Sequence, residues 1–509
     1  MKKQILLVTI SNIFDDWIPY AVGCLISHCN KNQKIQDSYV FMEPEYKNKW
    51  DTPEFHEKLK KADILGLTCY VWNQTANDKI SKIYKEYNPN GIVIYGGPNV
   101  PEENLKDFKR PYVDHYITGP GELKFEKLLD PSADSEYVLP TPYTDGVFDN
   151  IFKTQNDIAV PLETNRGCPY HCAFCDWGGV ARSKITKLTD EQVYSQIEYI
   201  LKHKNVKMLD ILDANYGIFP RDVDFIKHIV KNKKRKDMLL TFSGFAKNGS
   251  KYLSQIIKLV MENFEQSRRS IKISLQTFTP EVLKVIDRDN IKTDNLLKII
   301  NDLHDVDINS ELIIGLPGET AESFADTLFK SKDYNIDSAR VYPLYVLPNT
   351  PMAQKDYKEK YKIKTKTIKL PNGEQFEMVY ECFSFDIDEL VKMYLYWWYY
   401  NTFYNFGIDK SITKETMIHF FENLKNMPFI QSCVDEVKNG LYEIFDPNNK
   451  NVLSDYSFKL LHKQLGRGNE LVYIKNNIDL ANKELGLNFK IYNSTNQLTS
   501  PFVKIKEHL

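Results

Sequence analysis

What restricts the fold of this chain most is a rhythm of short, continuous apolar runs separated by amphipathic stretches, repeated through about residue 350. In the first 130 residues, runs at 5–10, 63–69 and 92–95 are continuous rather than alternating, as strands buried on both faces must be, and a further strand is expected at 113–117. Between the second and third, the lysine-rich segment 77–87 places Ile80 and Ile83 on one helical face. Buried parallel strands need helical crossovers. The pattern therefore predicts a doubly wound, Rossmann-like α/β domain over 1–130, with ligands at the carboxyl ends of its strands. Glycine-rich turns stand at two of those ends, Gly96-Gly97-Pro98 and Gly119-Pro120-Gly121-Glu122. Such turns are also common in ligand-free domains of this class, so alone they leave the question open.

The rhythm resumes at 159. Runs at 206–212, 239–243, 271–276, 311–314 and 339–345, with the strand that opens the region, make six strands separated by helices. The first helix is predicted over 189–203, with Thr189 as its N-cap ahead of Glu191. Residues 159–355 thus read as a partial (β/α)6 barrel, whose reaction site lies at the carboxyl ends of the strands. The intervening segment 131–158 contains Pro131, Pro140 and Pro142 and little periodicity, which predicts an extended linker on the surface. Residues 356–509 are expected to form a mainly helical domain. The aromatic segment 393–404 reads as a buried helix, either packing a core or serving as a lid over the barrel mouth.

Most of the chemistry is concentrated in Glu163-Thr-Asn-Arg-Gly-Cys168-Pro-Tyr-His-Cys172-Ala-Phe-Cys175-Asp-Trp-Gly-Gly179. Three thiolates spaced C-x3-C-x2-C on one loop suit three irons of a [4Fe–4S] cluster and leave the fourth iron open to another ligand. Zinc is the alternative, but it wants four N/S ligands, and His171 is poorly placed to be the fourth. The isolated Cys382 and Cys433 read as structural thiols. Eight cysteines with three in one motif point to a reducing cytoplasm and no disulfide framework. Lys+Arg (66) and Asp+Glu (68) nearly cancel, which argues against nucleic acid or an anionic membrane as partner. No run of about 18 apolar residues is present to span a bilayer. The N-terminal run leads into Ser11-Asn12 and Asp15-Asp16 and reads as a first strand rather than a secretory signal.

The cysteine run resembles the signature of radical S-adenosylmethionine (SAM) enzymes. That resemblance implies a cluster held by Cys168, Cys172 and Cys175, with Phe174 beside the third cysteine, and SAM chelating the unique iron. Ala62-Asp-Ile-Leu-Gly-Leu-Thr-Cys-Tyr-Val-Trp-Asn73, Tyr95-Gly-Gly-Pro-Asn99 and Asp114-His-Tyr-Ile-Thr-Gly-Pro-Gly-Glu122 resemble the cobalamin-binding domain that precedes many radical SAM domains. The implied corrin contacts are Gly96, Gly97, Pro98, Gly119, Gly121 and Glu122. Tyr70, Val71 and Trp72 are the candidates facing the lower side of cobalt, with interface packing as the plainer role for Trp72. None of His28, His56 and His115 has an aspartate two positions earlier, so the family's D-x-H-x-x-G motif is absent and cobalamin is expected without histidine ligation.

For SAM, the resemblance implies Asp213 and Asn215 near the methionine amino group, and Ser274 and Gln276 near the ribose or carboxylate. Gly315 within Ile313-Ile-Gly-Leu-Pro-Gly-Glu319, and Val346, are expected near adenine. Arg288 is either a fork on the SAM carboxylate or a surface salt-bridge residue. Lys247 is either a carboxylate or substrate contact or a solvated loop lysine.

Taken together, the resemblance implies methylation of an unactivated carbon in a small molecule or natural product, through a 5′-deoxyadenosyl radical and methylcobalamin. An external low-potential donor such as flavodoxin or ferredoxin would supply electrons. A radical rearrangement, cyclisation or oxidation without methyl transfer is the alternative. A non-catalytic iron–sulfur binding or redox-sensing protein is a third reading, which the full set of SAM-site candidates disfavours.

Overall fold

The computed structural model describes residues 2–10, 17–178, 184–245, 251–264, 270–290, 307–371, 373–405 and 410–454, with isolated residues 292, 295, 457, 460, 461, 483 and 484. The chain forms two compact units, Met1–Arg269 with Leu347–Ala353, and Ser270–Val346 with Gln354–Leu509.

The first unit opens with a parallel sheet of β1 (Lys3–Val8), β2 (Tyr39–Phe41), β3 (Ile64–Thr68), β4 (Ile92–Gly96) and β5 (His115–Ile117), in the order β2-β1-β3-β4-β5. Helices α1 (Tyr20–Cys29), α2 (Gln74–Tyr87) and α3 (Gly121–Leu129) cover it. Side-chain alternation explains the layering. Ile5, Leu7, Ile64 and Ile94 pack with Val22 and Ile26 of α1 and Phe125 of α3. Leu6, Val8, Leu65, Leu67 and Val93 face the opposite way, onto Ile80 and Tyr84 of α2. Both faces are therefore apolar, which is why the strands read as continuous runs. The short edge strand β2 carries too few apolar residues to signal itself.

The same unit continues with α4 (Asp149–Thr154), β6 (Ile158–Leu162), α5 (Asp190–Leu201), β7 (Val206–Ile211), α6 (Pro220–Asn232), β8 (Leu239–Phe242) and α7 (Lys251–Asn263). The strands form a parallel sheet in the order β8-β7-β6. Thr189 caps α5 as expected, its hydroxyl accepting from Gln192 N at 3.2 Å while Gln192 Oε1 accepts from Thr189 N at 2.9 Å.

The segment 131–158 departs from expectation. Residues 131–138 run over the surface as expected, but those from 139 do not. Leu139, Tyr143, Phe148, Ile151 and Phe152 are all buried in the same core as Val160, Leu162 and Leu209. Tyr143 N donates to Gln196 Oε1 at 3.2 Å, and its hydroxyl donates to the Pro161 carbonyl. Pro140 and Pro142 hold the chain extended, and a short helix follows. The apolar positions thus change period midway, and no single periodicity reveals them.

The second unit contains the parallel strands β9 (Ser270–Gln276), β10 (Asp307–Ile314) and β11 (Ser338–Pro343), in that order. The six strands predicted for the barrel region are all present, three in each unit. Helix α8 (Ala321–Asp333) follows β10. An antiparallel hairpin of β12 (Lys364–Lys369) and β13 (Gln375–Glu381) precedes α9 (Ile387–Tyr400) and α10 (Pro428–Phe445). The aromatic segment lies on α9 and the π-turn Asn401–Asn405, and its rings are core packing. Tyr400 meets Phe329 of α8 edge-on at 5.6 Å between centroids, and Tyr394 meets Phe445 of α10 at 5.2 Å. No described helix is long and apolar enough to cross a membrane.

Candidate functional site

Strand order in the five-stranded sheet reverses between β1 and β3, and ligands of doubly wound folds sit at that switch point. A cavity of about 610 Å³ opens there, lined by Thr9 and Ile10 after β1, Thr68 of β3, and Gly96 of β4. Of the expected corrin contacts, Gly96, Gly97, Pro98, Gly119, Gly121 and Glu122 all line it, as do Tyr70 and Trp72. Val71, in the same turn, is not on the wall.

The turns are close-fitted backbone. Cys69 N donates to Gly96 O at 2.6 Å, and Asn99 N donates to Cys69 O at 3.0 Å. Gly97 has φ +119°, and a Cβ there would lie 2.8 Å from Cys69 O and 3.0 Å from Cys69 N. Only glycine permits both the dihedral and the approach. Beside it, the buried Asn73 side chain accepts from Tyr70 N at 2.8 Å and donates to Ile10 O (3.1 Å) and Thr68 O (3.0 Å). That clamp fixes the 70–72 turn, where the rings of Tyr70 and Trp72 stack at 4.5 Å with 11° between planes.

The cysteine loop and its entry also contribute to the lining. Glu163, Asn165, Arg166, Gly167, Asp176 and Trp177 line the same cavity, together with Trp17, Tyr20 and Tyr46. Arg166 Nη1 donates to Glu122 Oε1 at 2.5 Å and to the Tyr137 hydroxyl at 2.7 Å. Its Nε and Nη2 fork onto Glu163 at 3.0 and 2.7 Å. Burial opposes ionisation of Glu122, but Arg166 outweighs it and holds the carboxyl below its usual range. Glu122 also stands in the first turn of α3, where the helix dipole favours an anion. Sequence reasoning quoted Glu163, Arg166 and Trp177 within the cysteine run without assigning them roles. Their nearness to Cys168 and Cys175 was the available signal.

Cys168 and Cys172 are buried and Cys175 is half-buried. Among the described residues, no three His, Cys, Asp or Glu side chains are gathered as for a single metal ion. In an iron–sulfur cluster each cysteine holds a different iron, so the thiols need not converge on one point. The loop folds back on itself, with Cys175 N donating to Cys172 O at 3.0 Å, and Met352 N donates to Ala173 O at 2.9 Å. Phe174 is half-buried on this loop and does not line the cavity.

Two residues after β7 brace the cysteine loop. Asp213 accepts from Thr164 N (2.7 Å), Asn165 N (3.3 Å) and Asn165 Nδ2 (2.6 Å), and from the Thr164 hydroxyl. Burial pushes its carboxyl up to about 7, against the pull of those donors. Asp213 therefore ties the strand that enters the cysteine loop to β7. Asn215 Nδ2 donates to Cys168 Sγ at 2.9 Å, and its Oδ1 is buried without a partner. An amide hydrogen-bonded to Cys168 and three unbridged cysteines on one loop fit a cluster bound here.

In the second unit, β9 ends on a bulge between Ser274 and Gln276, with Gln276 at φ +67°. Arg288 is buried rather than a surface residue. It donates to Ser274 O, and its Nε donates to Asn290 Oδ1 at 2.8 Å. Asn290 Nδ2 in turn donates to Leu275 O and Thr277 O, so the pair secures the bulge. Ser274 is exposed and donates to Glu311 Oε2 at 2.7 Å. Gly315 takes φ +87° at the end of β10. The amide of Val346 is engaged by Glu377 O of the hairpin at 2.9 Å. Glu319, which sequence reasoning did not single out, is buried against Thr277, and burial raises its carboxyl to about 8. Lys247 lies outside the described residues.

Residues 162–330 match the family model described as the Radical SAM superfamily. The chain is 32% identical over 425 residues to the cobalamin-dependent radical SAM methyltransferase TokK of Streptomyces tokunonensis, a match covering 74% of this chain and 62% of that one. It is 30% identical over 425 residues to 2-(S-pantetheinyl)-carbapenam-3-carboxylate methyltransferase of Streptantibioticus cattleyicolor, with the same coverage, 74% and 62%. The chain thus spans 62% of the length of these curated relatives. Among solved structures, the cobalamin-dependent SAM radical enzyme OxsB, with aqua-cobalamin and SAM bound, superposes with a TM-score of 0.55 at 15% identity, over 95% of this chain and 80% of that one. Residues 162–330 are thus similar to the radical SAM superfamily domain. The fold, a Rossmann-like domain, a partial (β/α)6 barrel and a largely helical C-terminal region, is like that of OxsB.

Proposed function

We propose that this chain binds a [4Fe–4S] cluster at Cys168, Cys172 and Cys175, SAM at the cluster, and cobalamin in the switch-point cavity, and methylates an unactivated carbon of a small-molecule natural product. One observation carries the reading: a single cavity is lined both by the glycine turns of the first domain and by residues of the cysteine loop. When bound, the cluster and SAM supply a radical initiator for breaking C–H bonds, and the corrin supplies a methyl carrier.

The chain's own residues supply the rest. Gly96, Gly97, Gly119 and Gly121 leave backbone bare for a large planar ligand. The stacked Tyr70 and Trp72 give the strand-end wall an apolar face, and none of His28, His56 and His115 lines it. That supports cobalamin held without histidine ligation. Arg166 pairs with Glu122 and Glu163 and fixes both beside the cysteine loop, while Asp213 and Asn215 position that loop. The SAM contacts we assign are Asp213, Asn215, Ser274, Gln276, Arg288, Gly315 and Val346, with Asp213 and Arg288 acting by holding backbone. The functional divisions we assign are 1–130, 131–158, 159–355 and 356–509. Electrons would come from a flavodoxin or ferredoxin in a reducing cytoplasm, in keeping with eight unbridged cysteines.

Anaerobic titration of cluster-reconstituted protein with hydroxocobalamin, followed by ultraviolet–visible spectroscopy, tests the proposal. Stoichiometric binding without a nitrogen-ligated spectrum is expected. No binding would overturn the cobalamin assignment. Accumulation of S-adenosylhomocysteine during turnover separates methyl transfer from a rearrangement or oxidation, which would form none.

A further inference from the structure

We infer that Asn215 is a positioning residue that sets the reduction potential of the cluster through an N–H···S bond to Cys168. The inference rests on the proposed cluster at the three cysteines. Asn215 is buried, with its amide nitrogen 2.9 Å from Cys168 Sγ.

The amide is held in place by its neighbours. Tyr216 N donates to Gly244 O at 3.0 Å, the Tyr216 hydroxyl donates to Asp222 O at 2.8 Å, and Gly217 N donates to Asp222 Oδ2 at 2.9 Å. Gly244 packs directly under the loop, since a Cβ there would lie 2.5 Å from Ala214 O. Asp213, two residues earlier, grips the backbone at Thr164 and Asn165. The donor and the sulfur are thus fixed from both sides, and the bond needs no reorganisation when an electron arrives.

The direction of the effect follows from charge. Reduction adds negative charge to the cluster and its thiolates, and a hydrogen bond to sulfur stabilises the more negative state. In a buried site that preference is weakly screened. The Asn215 amide therefore raises the potential and eases the one-electron reduction on which SAM cleavage depends. Outer-shell donors of this kind tune a metal centre.

The test is a redox titration of the reconstituted holoprotein without SAM, read by electron paramagnetic resonance of the reduced cluster. Asn215→Leu removes the donor at similar size, and Asn215→Asp keeps the shape but removes the donor and adds charge. Each should shift the equilibrium at least about tenfold toward the oxidised cluster, roughly 59 mV lower in midpoint for one electron. The aspartate should shift it further. If the leucine variant does not accumulate, the aspartate variant alone decides. Intact clusters with unchanged midpoints in the variants would overturn the inference alone. Wild-type protein that forms no [4Fe–4S] signal would overturn the cluster reading beneath it.

Discussion

Arg166→Met removes the cation shared by two carboxylates and should unfasten the cysteine loop from α3. The Arg166 side chain is 26% exposed, while Glu122 and Glu163 are 5% and 15% exposed. Breaking a fully buried pair costs about 3–5 kcal/mol, and partial exposure of the arginine reduces this to roughly 2–3 kcal/mol. That corresponds to an opening equilibrium about 30- to 150-fold larger for the segments around α3 and residues 163–168. The cost should depend on pH. In the wild type, Glu122 is held below its usual range, so its contribution is present above the ordinary carboxyl pKa of about 4.3 and is lost as pH falls through the lowered value. In the variant, only the helix-start amide and His28 oppose burial, so the carboxyl rises and ionisation destabilises progressively as pH rises. The gap between the two proteins should be widest near pH 8 and narrow toward pH 5. Hydrogen–deuterium exchange of those segments at both pH values measures it, and adding Glu122→Gln to the variant should recover part of the loss at pH 8. A gap that is equal at both pH values, or no recovery, would refute the electrostatic account.

Cys172→Ala should abolish both the visible absorbance of the cluster and reductive SAM cleavage; wild-type levels of 5′-deoxyadenosine from that variant would end the cluster assignment. Trp72→His should move the spectrum of bound cobalamin toward a nitrogen-ligated form, whereas an unchanged spectrum would leave Trp72 as packing. Gly97→Ala must adopt φ +119° and press on Cys69 backbone, costing about 1–3 kcal/mol before any clash is relieved. It should melt earlier and bind hydroxocobalamin more weakly, and wild-type behaviour in both assays would contradict the close approach.

Much of the fold was legible because continuous apolar strands and amphipathic helices carry strong, regular periods. Runs such as Ile92–Gly96 and the Thr189 cap fall where the sequence placed them. Segments whose period changes or whose apolar content is low were not legible. The 131–158 segment mixes extended, turn and helical spacing. In β12, Lys364-Thr-Lys-Thr-Ile-Lys369 shows a single buried apolar residue, Ile368. The same contrast holds at the site. Cysteines and glycines announce themselves because few other residues can do what they do. Arg166, Glu163 and Tyr46 are ordinary surface-type residues until tertiary packing brings them to the cavity. Arg288 shows the reverse: a conspicuous charge lies buried, donating to the Ser274 carbonyl and to Asn290 Oδ1.

The burial of the segment 139–152 bears on modularity. Phe148 sits so close to α1 that a Cβ on Gly23 would fall 2.1 Å from its ring, while Tyr143 reaches β6 and Ile151 and Phe152 join the core around β6 and β7. A truncation beginning at residue 159 would shed Leu139, Tyr143, Phe148, Ile151 and Phe152, each worth about 1.5–3 kcal/mol when buried. Together they rival the net stability of an entire domain, about 5–15 kcal/mol. The sheet β8-β7-β6 is therefore not a cassette that gene fusion can move alone; it travels with the α/β domain ahead of it.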